Sequence, residues 1–346
     1  MMNRETITPK FFTATFLATL SFTVLLVFLA STVRAGNKVN MAYVSDAPGS
    51  SAAYWVARDA GLFKKHGLDV DMIFINGSTR TVQSLIAGDL NFAGAVGTSA
   101  INGRMAGGDI TIINGLVNTL PYYLIGKPQI RSPEDLRGKS AATHIPGTSA
   151  DFALRLALKK FGIPYESIKA IMVGGVPARI AAVTNGQADF AVVTEAGKIQ
   201  GEKAGLRTIL DMAELKIPFQ FTCTVTTGRM IRESPDVVQR MTEAMVEAVH
   251  FYKNNKEDVM RIMQKYSRGQ KRSVLEGTYT AYKELFVEDT YPTLVGLKNT
   301  LEVQASWDPK AGNAKAKDFV DLRFVDQLKK SGFIEKLYGR SHASRN

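Results

Sequence analysis

The sequence predicts an α/β protein of two similar lobes, each a mostly parallel sheet wrapped by helices. Three observations carry that expectation. Short β-branched runs alternate with amphipathic stretches from Lys38 onward. The same succession then returns in one register 98 residues later. Beyond Pro235 the pattern turns purely helical.

Taken in order, residues 39–44 read as a strand, 52–66 as a helix, 70–75 as a strand and 79–87 as a helix. Residues 92–96 and 110–116 read as further strands. Strands alternating with helices argue for a parallel sheet covered by helices. Gly61 and Gly67 bracket the end of the first helix, as glycines at helix C-caps do.

The repeat can be measured. Pro48-Gly49-Ser50-Ser51-Ala52 aligns with Pro146-Gly147-Thr148-Ser149-Ala150, and Ile73-Phe74-Ile75 with Ile171-Met172-Val173. Gly88-Asp89-Leu90-Asn91-Phe92-Ala93 aligns with Gly186-Gln187-Ala188-Asp189-Phe190-Ala191 at the same shift. Lys64-Lys65-His66-Gly67-Leu68 matches Lys159-Lys160-Phe161-Gly162-Ile163 at a slightly shorter one. Two copies of one βαβαβ unit make two lobes. Residues 121–125 and 221–227 are extended runs flanking the second copy, the candidates for strands that cross between lobes. That places the first lobe at 36–125 and 223–346 and the second at 126–222. The helices expected at 235–254, 256–266, 273–286 and 316–330 pack on the first lobe. Met241, Met245, Val249 and Tyr252 share one stripe, a core pattern at helical spacing.

The two ends and the composition bound the setting. Arg4 and Lys10 precede an uncharged run at 11–33, and Val33-Arg34-Ala35 follows, the order of a secretory signal cleaved after Ala35. The same run is long enough to span a bilayer, so a retained anchor is the alternative. The only cysteine is Cys223, so no intrachain disulfide forms and a lipid anchor after the apolar run is not expected. Lys and Arg total 43 against 32 Asp and Glu. The excess is scattered without basic blocks or interleaved aromatics, which argues against nucleic acid and gives weak support to anionic solutes.

The segment Tyr54-Trp55-Val56-Ala57-Arg58-Asp59-Ala60-Gly61-Leu62-Phe63-Lys64-Lys65-His66-Gly67-Leu68-Asp69-Val70 resembles one found in periplasmic binding proteins of nitrate, taurine and sulfonate importers. Leu62 stands where that pattern prefers an aromatic. Gly88-Asp89-Leu90-Asn91-Phe92-Ala93 and Ser132-Pro133-Glu134-Asp135-Leu136-Arg137-Gly138-Lys139 resemble two further segments, so the likeness runs from about Lys38 to Gly228. It implies the type II periplasmic-binding fold, with two hinge strands and ligand clamped between lobes. It also implies a periplasmic, monomeric, non-enzymatic solute-binding component without cofactor, whose partners are a small solute and an ABC importer permease with its ATPase. The family's thiamin-pyrimidine-synthesis branch is the enzyme alternative. Its members carry a cysteine-rich motif that this chain lacks, and the export signal also points away from it.

In such a sheet, ligands bind beyond the carboxyl ends of the strands. The repeat puts two loops there, Asp46-Ala47-Pro48-Gly49-Ser50-Ser51 and His144-Ile145-Pro146-Gly147-Thr148-Ser149. Glycine permits close approach and the following helix offers N–H groups to an anion, whereas Ser and Thr at these places are also ordinary N-caps. The next pair is Gly97-Thr98-Ser99 and Thr194-Glu195-Ala196, where the repeat breaks and a carboxylate appears. Glu195 reads either as a ligand contact or as a first-turn acid favoured by the helix dipole. His144 reads as a ligand contact or an ordinary hydrogen-bonding loop residue, and Gly175 lines the same edge more weakly. Tyr43, Tyr54, Trp55 and Tyr122 rank below the polar loops as an aromatic wall.

Catalytic and metal chemistry fail on inventory. None of the four histidines lies at ligand spacing from another or from Cys223. Glu247 and His250 form one Glu-x-x-His without the second copy that a carboxylate-bridged metal pair needs. No Gly-x-Ser-x-Gly elbow occurs. Gly138-Lys139-Ser140 ends like a phosphate loop, but Pro133 takes the place of its first glycine. Three readings stand: an importer binding protein, a pyrimidine-synthesis-type enzyme, and a membrane-tethered solute receptor.

Overall fold

A computed structural model of the protein describes residues 37–267 and 269–339. The expected signal segment and its cleavage point lie outside the described residues.

The first copy of the repeat opens with β1 (Asn37–Tyr43), α1 (Ala52–Asp59), α2 (Leu62–Lys65) and β2 (Leu68–Phe74). It continues through α3 (Ser78–Ala87), β3 (Phe92–Val96), α4 (Gly97–Met105) and β4 (Thr111–Gly115). The second holds β5 (Tyr123–Gly126), β6 (Ser140–Thr143), α5 (Ser149–Lys160), β7 (Lys169–Met172), α6 (Val176–Thr184), β8 (Phe190–Val193), α7 (Glu195–Lys203) and β9 (Arg207–Asp211). Then come β10 (Thr222–Thr226), α8 (Gly228–Glu233), α9 (Pro235–Asn254), α10 (Lys256–Tyr266) and α11 (Arg272–Leu285). The chain closes with α12 (Leu294–Gln304), α13 (Pro309–Asn313), α14 (Arg323–Lys330) and α15 (Phe333–Leu337).

Two five-stranded sheets result, in the orders β2-β1-β3-β10-β4 and β7-β6-β8-β5-β9. In each, four strands run in one direction and one, β10 or β5, is inserted antiparallel. The architecture is the two-lobed α/β one that the repeat implies. The central strands are covered on both faces, which is why β3, β8 and β10 read as continuous apolar or Thr runs rather than alternating ones. One joint recurs at the base of both sheets. Asn91 Oδ1 accepts the Asn40 amide at 2.9 Å, and Asp189 Oδ2 accepts the Ser140 amide at 2.9 Å.

Four sequence expectations are corrected. The single helix at 52–66 is broken, because Gly61 takes φ +71° and starts the short α2. The helix at 316–330 is also broken. Val320 leaves it to form a bridge with Ile112 on β4, so only a 3₁₀ turn at Ala316–Phe319 precedes α14. Helices α4, α8, α12, α13 and α15 were not foreseen, and Gly97, Thr98 and Ser99, expected as a loop, open α4. Residues 121–125 and 221–227 are not themselves the crossings: Tyr123–Gly126 pairs between β8 and β9 of the second sheet, and Thr222–Thr226 between β3 and β4 of the first. The chain crosses just before each of them. Residues 116–122 and 212–221 run side by side, with Phe219 N donating to Asn118 O at 3.1 Å and Phe221 N to Val117 O at 2.9 Å. The Met241, Met245, Val249 and Tyr252 stripe of α9 is fully buried.

Candidate functional site

The topology fixes where the sheets meet. β4 and β9 lead into the crossings, so the hinge lies along the β10-β4 side of one sheet and the β5-β9 side of the other. The carboxyl ends of the parallel strands therefore share one space with the starts of β10 and β5.

On the second-sheet side, β6 ends at Thr143 and His144, β8 at Val193, and β5 begins beside Tyr122. Arg179, in the first turn of α6, is 4% exposed and reaches back to donate Nη1 to the Val192 carbonyl on β8. No carboxylate pairs with it among the described residues, and its Nε has no partner. A buried guanidinium without a counter-ion is costly unless something else supplies the charge. Burial draws its pKa down from the ordinary value, with the nearby Tyr122 phenol opposing. The group stays cationic, as arginine does in proteins. His144 also has a pKa below the ordinary 6.5, first from burial and then from Arg179, which makes it a neutral imidazole at pH 7. Its Nδ1 is buried and unpartnered. The Tyr122 hydroxyl is hydrogen-bonded to Ser149 Oγ at 2.7 Å. Burial raises the Tyr122 pKa, with Ser149 and Arg179 pulling against it, and the phenol stays protonated.

Glu195 opens α7 at 8% exposure. Its Oε1 lies 3.3 Å from Lys198 Nζ, while Oε2 has no partner. The Tyr123 phenol sits against Glu195 and Asp211, and burial together with those carboxylates pushes its pKa up.

The first-sheet side is built of hydroxyls. Ser51 and Thr98 are 0% and 1% exposed, and both side-chain oxygens lack a partner, as does Thr222 Oγ1 at the start of β10. Gly49 is packed so closely on α11 that a Cβ there would lie 2.4 Å from the Tyr282 ring. Tyr282 in turn feels both Tyr122 and Glu195 after burial, which ties the Gly49 loop to the second-sheet cluster. On the other side of α11, a Cβ at Gly277 would stand 3.6 Å from Glu195 Oε1.

Of the residues expected at the site, Gly49, His144, Ser149 and Glu195 are linked through Tyr282, Tyr122 and Arg179, while Ser51 and Thr98 are buried with unpartnered hydroxyls. Asp46 and Gly175 are exposed, Ser50 and Thr194 are half-buried, and Ser99 is buried in α4. Gly97 serves packing, since a Cβ there would sit 2.4 Å from the Gln220 carbonyl. Thr148 turns its hydroxyl to Ile145 O at 2.7 Å, and Gly147 N donates to Asp151. Side-chain capping is not what the hydroxyls do: neither Ser51 nor Thr148 makes a cap bond. Of the aromatic wall, Tyr54 and Trp55 are core residues and Tyr43 packs edge-on against Trp55. Tyr122 does reach the site.

Sequence reasoning missed Arg179 and Tyr282. The 98-residue register held a signal for the first. Arg179 is the counterpart of Thr81, a fully buried Thr whose hydroxyl bonds Ile75 O and Gly77 O in its own loop. A guanidinium replaces a satisfied hydroxyl, so the repeat breaks there too. Two surface cavities of about 240 and 360 Å³ lie elsewhere, by Lys38 and Arg229 and by Asp59 and Lys265. Neither is lined by a buried unpartnered polar side chain.

Comparison with known proteins bears on the family and the fold. The pattern of the family described as NMT1/THI5 like matches residues 49–259. A Brucella abortus protein named as a candidate binding protein is 30% identical over 263 residues, 74% of this chain and 80% of its own. A candidate periplasmic sulfonate-binding protein of an ABC transporter from Methylobacillus flagellatus superposes with TM-score 0.72 at 17% identity, over 91% of this chain and 99% of that one. The alkanesulfonate-binding protein of Xanthomonas axonopodis, bound to MOPS, gives 0.65 at 15%, over 82% and 98%. These likenesses show the periplasmic-binding fold.

Proposed function

The chain belongs to the NMT1/THI5-like family, and from that premise we propose that it is the solute-binding component of an ABC importer, taking a small anionic solute between its lobes. The observation that carries the reading is Arg179, a buried cation without a counter-ion. Ser51, Thr98, Thr143, His144 and Glu195 also each keep a buried, unpartnered polar atom. Native interiors leave few such groups, and a cluster contributed by both sheets is what a polar ligand would satisfy. Tyr122 and Ser149 stand beside the guanidinium, and Tyr282 closes the space from α11. We take the lobes as 37–116 with 222–339 and 123–211, joined by the two crossings. The protein acts in the periplasm as a monomer, exported by its leader, and hands its solute to the permease.

The enzyme alternative lacks a nucleophile in the right state. Cys223 is fully buried in β10, turned to Ala95 O, and burial pushes its pKa up. Calorimetric titration of the mature protein with methanesulfonate, nitrate, benzoate and a neutral pyrimidine tests the proposal. A single site filled by an anion, at micromolar affinity or better, is the expected result. Binding confined to the neutral pyrimidine, or turnover of any of the four, would sink it.

A further inference from the structure

Asp151 lies one turn into α5 and is 1% exposed. Its Oδ2 accepts the amide of Gly147, in the second of the two duplicated loops, at 3.0 Å. The same carboxylate receives Arg155 Nε at 3.2 and 3.1 Å and the Tyr165 hydroxyl at 3.1 Å. The Arg155 guanidinium is held between two rings, 3.6 Å from the centre of Tyr165 and 5.0 Å from that of Trp307. Phe152, fully buried on α5, meets Trp307 at 5.5 Å.

Trp307 comes from the other lobe. It follows α12, whose Leu297 and Leu301 are buried in the first-sheet core with Ile112 and Cys223. Asn299 of the same helix donates to Pro218 O in the second crossing at 2.8 Å. A continuous set of contacts therefore runs from the first lobe, through Trp307, Arg155 and Asp151, to the backbone of the loop at Gly147.

We propose that this is an interlobe latch: Trp307 holds Arg155, Arg155 holds Asp151, and Asp151 sets the loop that presents Ser149 and His144 to the solute. Asp151 is a positioning residue, and the latch ties the shape of the loop to the first lobe, with or without solute. The proposal rests on the solute-binding reading for its purpose but not for its test. A plain capping role for Asp151 would keep the loop's order within α5 and make it indifferent to Trp307.

Hydrogen exchange on the ligand-free, full-length mature protein separates the two. Trp307→Leu should speed exchange in the segment 145–152 by about fivefold or more while leaving 37–75 unchanged, as a local opening does. Arg155→Met, which keeps the apolar stem between the rings but cannot bind Asp151, should do the same. The same two variants should weaken methanesulfonate binding without being additive in the double variant, as coupled sites behave. Unchanged exchange at 145–152 in Trp307→Leu, or a rise spread evenly over both segments, overturns the latch. Because exchange is read without solute, that outcome is distinct from a failure of methanesulfonate to bind at all.

Discussion

The two halves of the cleft come from one repeated unit, yet they are chemically unlike. The first-sheet half offers Ser51, Thr98 and Thr222, neutral hydroxyls behind the tightly packed Gly49. The second-sheet half offers the neutral imidazole of His144 with Arg179 and Glu195, so the charged groups of the candidate site lie on one side. Duplication preserved the strands, loops and helix starts, which depend on backbone geometry. It did not preserve the polar side chains of the candidate site, where Arg179 stands for Thr81. On the proposed function, the second lobe would choose the solute by charge and the first lobe would close over it with hydrogen bonds.

The largest effect should come from setting one half against the other. Arg179→Met should weaken binding of an anion by about a hundredfold or more, the scale of removing one partner from a buried charge pair. Thr98→Val should cost less than about tenfold, the scale of a neutral hydrogen bond. Neither substitution should lower the melting temperature of the ligand-free protein. Thr98→Val removes a buried hydroxyl that has no partner there, and Arg179→Met, although it gives up the bond to the Val192 carbonyl, removes a buried charge with no counter-ion. Calorimetry and thermal unfolding on the two variants check this. Equal losses of affinity would erase the proposed asymmetry.

Much of the scaffold was legible in the sequence, and particular residues show why. Pro146-Gly147 and Gly88-Asp89 repeat because turns and helix starts are local, so one register exposed both sheets. The places where β5 and β10 insert were not legible, since pairing between distant strands leaves no local pattern. Gly61 was visible as punctuation, but not that it would divide one helix in two. At the candidate site, the placement of Ser51, His144 and Glu195 just beyond strands and at helix starts followed from the strand pattern alone. Arg179 lies inside a helix, where a charged residue ordinarily faces solvent, and only the packing of α6 on β8 turns it inward. Tyr282 arrives from a helix about 230 residues beyond the Gly49 loop, and no sequence period links them.

The base of the sheets offers the next comparison. Asn91 and Asp189 hold equivalent amides, but only Asp189 titrates. It also binds Lys127 Nζ at 2.7 Å and Ser140 Oγ at 2.8 Å. Lys127 and the Ser140 amide bring its pKa from the ordinary 3.8 to about 2. A depressed folded-state pKa gives stability that is present above 3.8 and lost as pH falls toward 2. Solvent at its flank limits this to about 1–2 kcal/mol. Asp189→Asn should lose that amount at pH 7 and show a shallower decline in acid. Urea unfolding at pH 7 and pH 2.5 measures both. An acid limb unchanged by the substitution would place the titrating joint elsewhere.

The smallest effect belongs to the first lobe. His66, whose counterpart in the second copy is Phe161, binds Glu243 Oε2 through Nδ1 at 3.2 Å and Glu247 Oε2 through Nε2 at 2.8 Å. Lys65 also reaches Glu247, and Phe333 packs 6.3 Å from the imidazole. Both ring nitrogens facing carboxylates is the geometry of an imidazolium that fastens α2 to α9. Burial opposes the charge, but the bonds to Glu243 and Glu247 and their charges outweigh it, and the pKa is raised above 6.5. For a raised pKa the stabilisation is complete below the unfolded value and is lost as pH rises through the folded one. The His66 component should therefore lower the melting temperature by about 1–3 °C between pH 6 and pH 8.5, a contribution of about 0.5–1 kcal/mol. His66→Gln keeps one hydrogen bond but cannot charge, so its curve should lack this component and meet the parent's at high pH. The Phe161 side of the repeat has no such group, and His66→Phe makes the two copies alike. If His66→Gln and the parent fall in parallel between pH 6 and 8.5, the imidazolium joint contributes nothing and the copies differ only across the cleft.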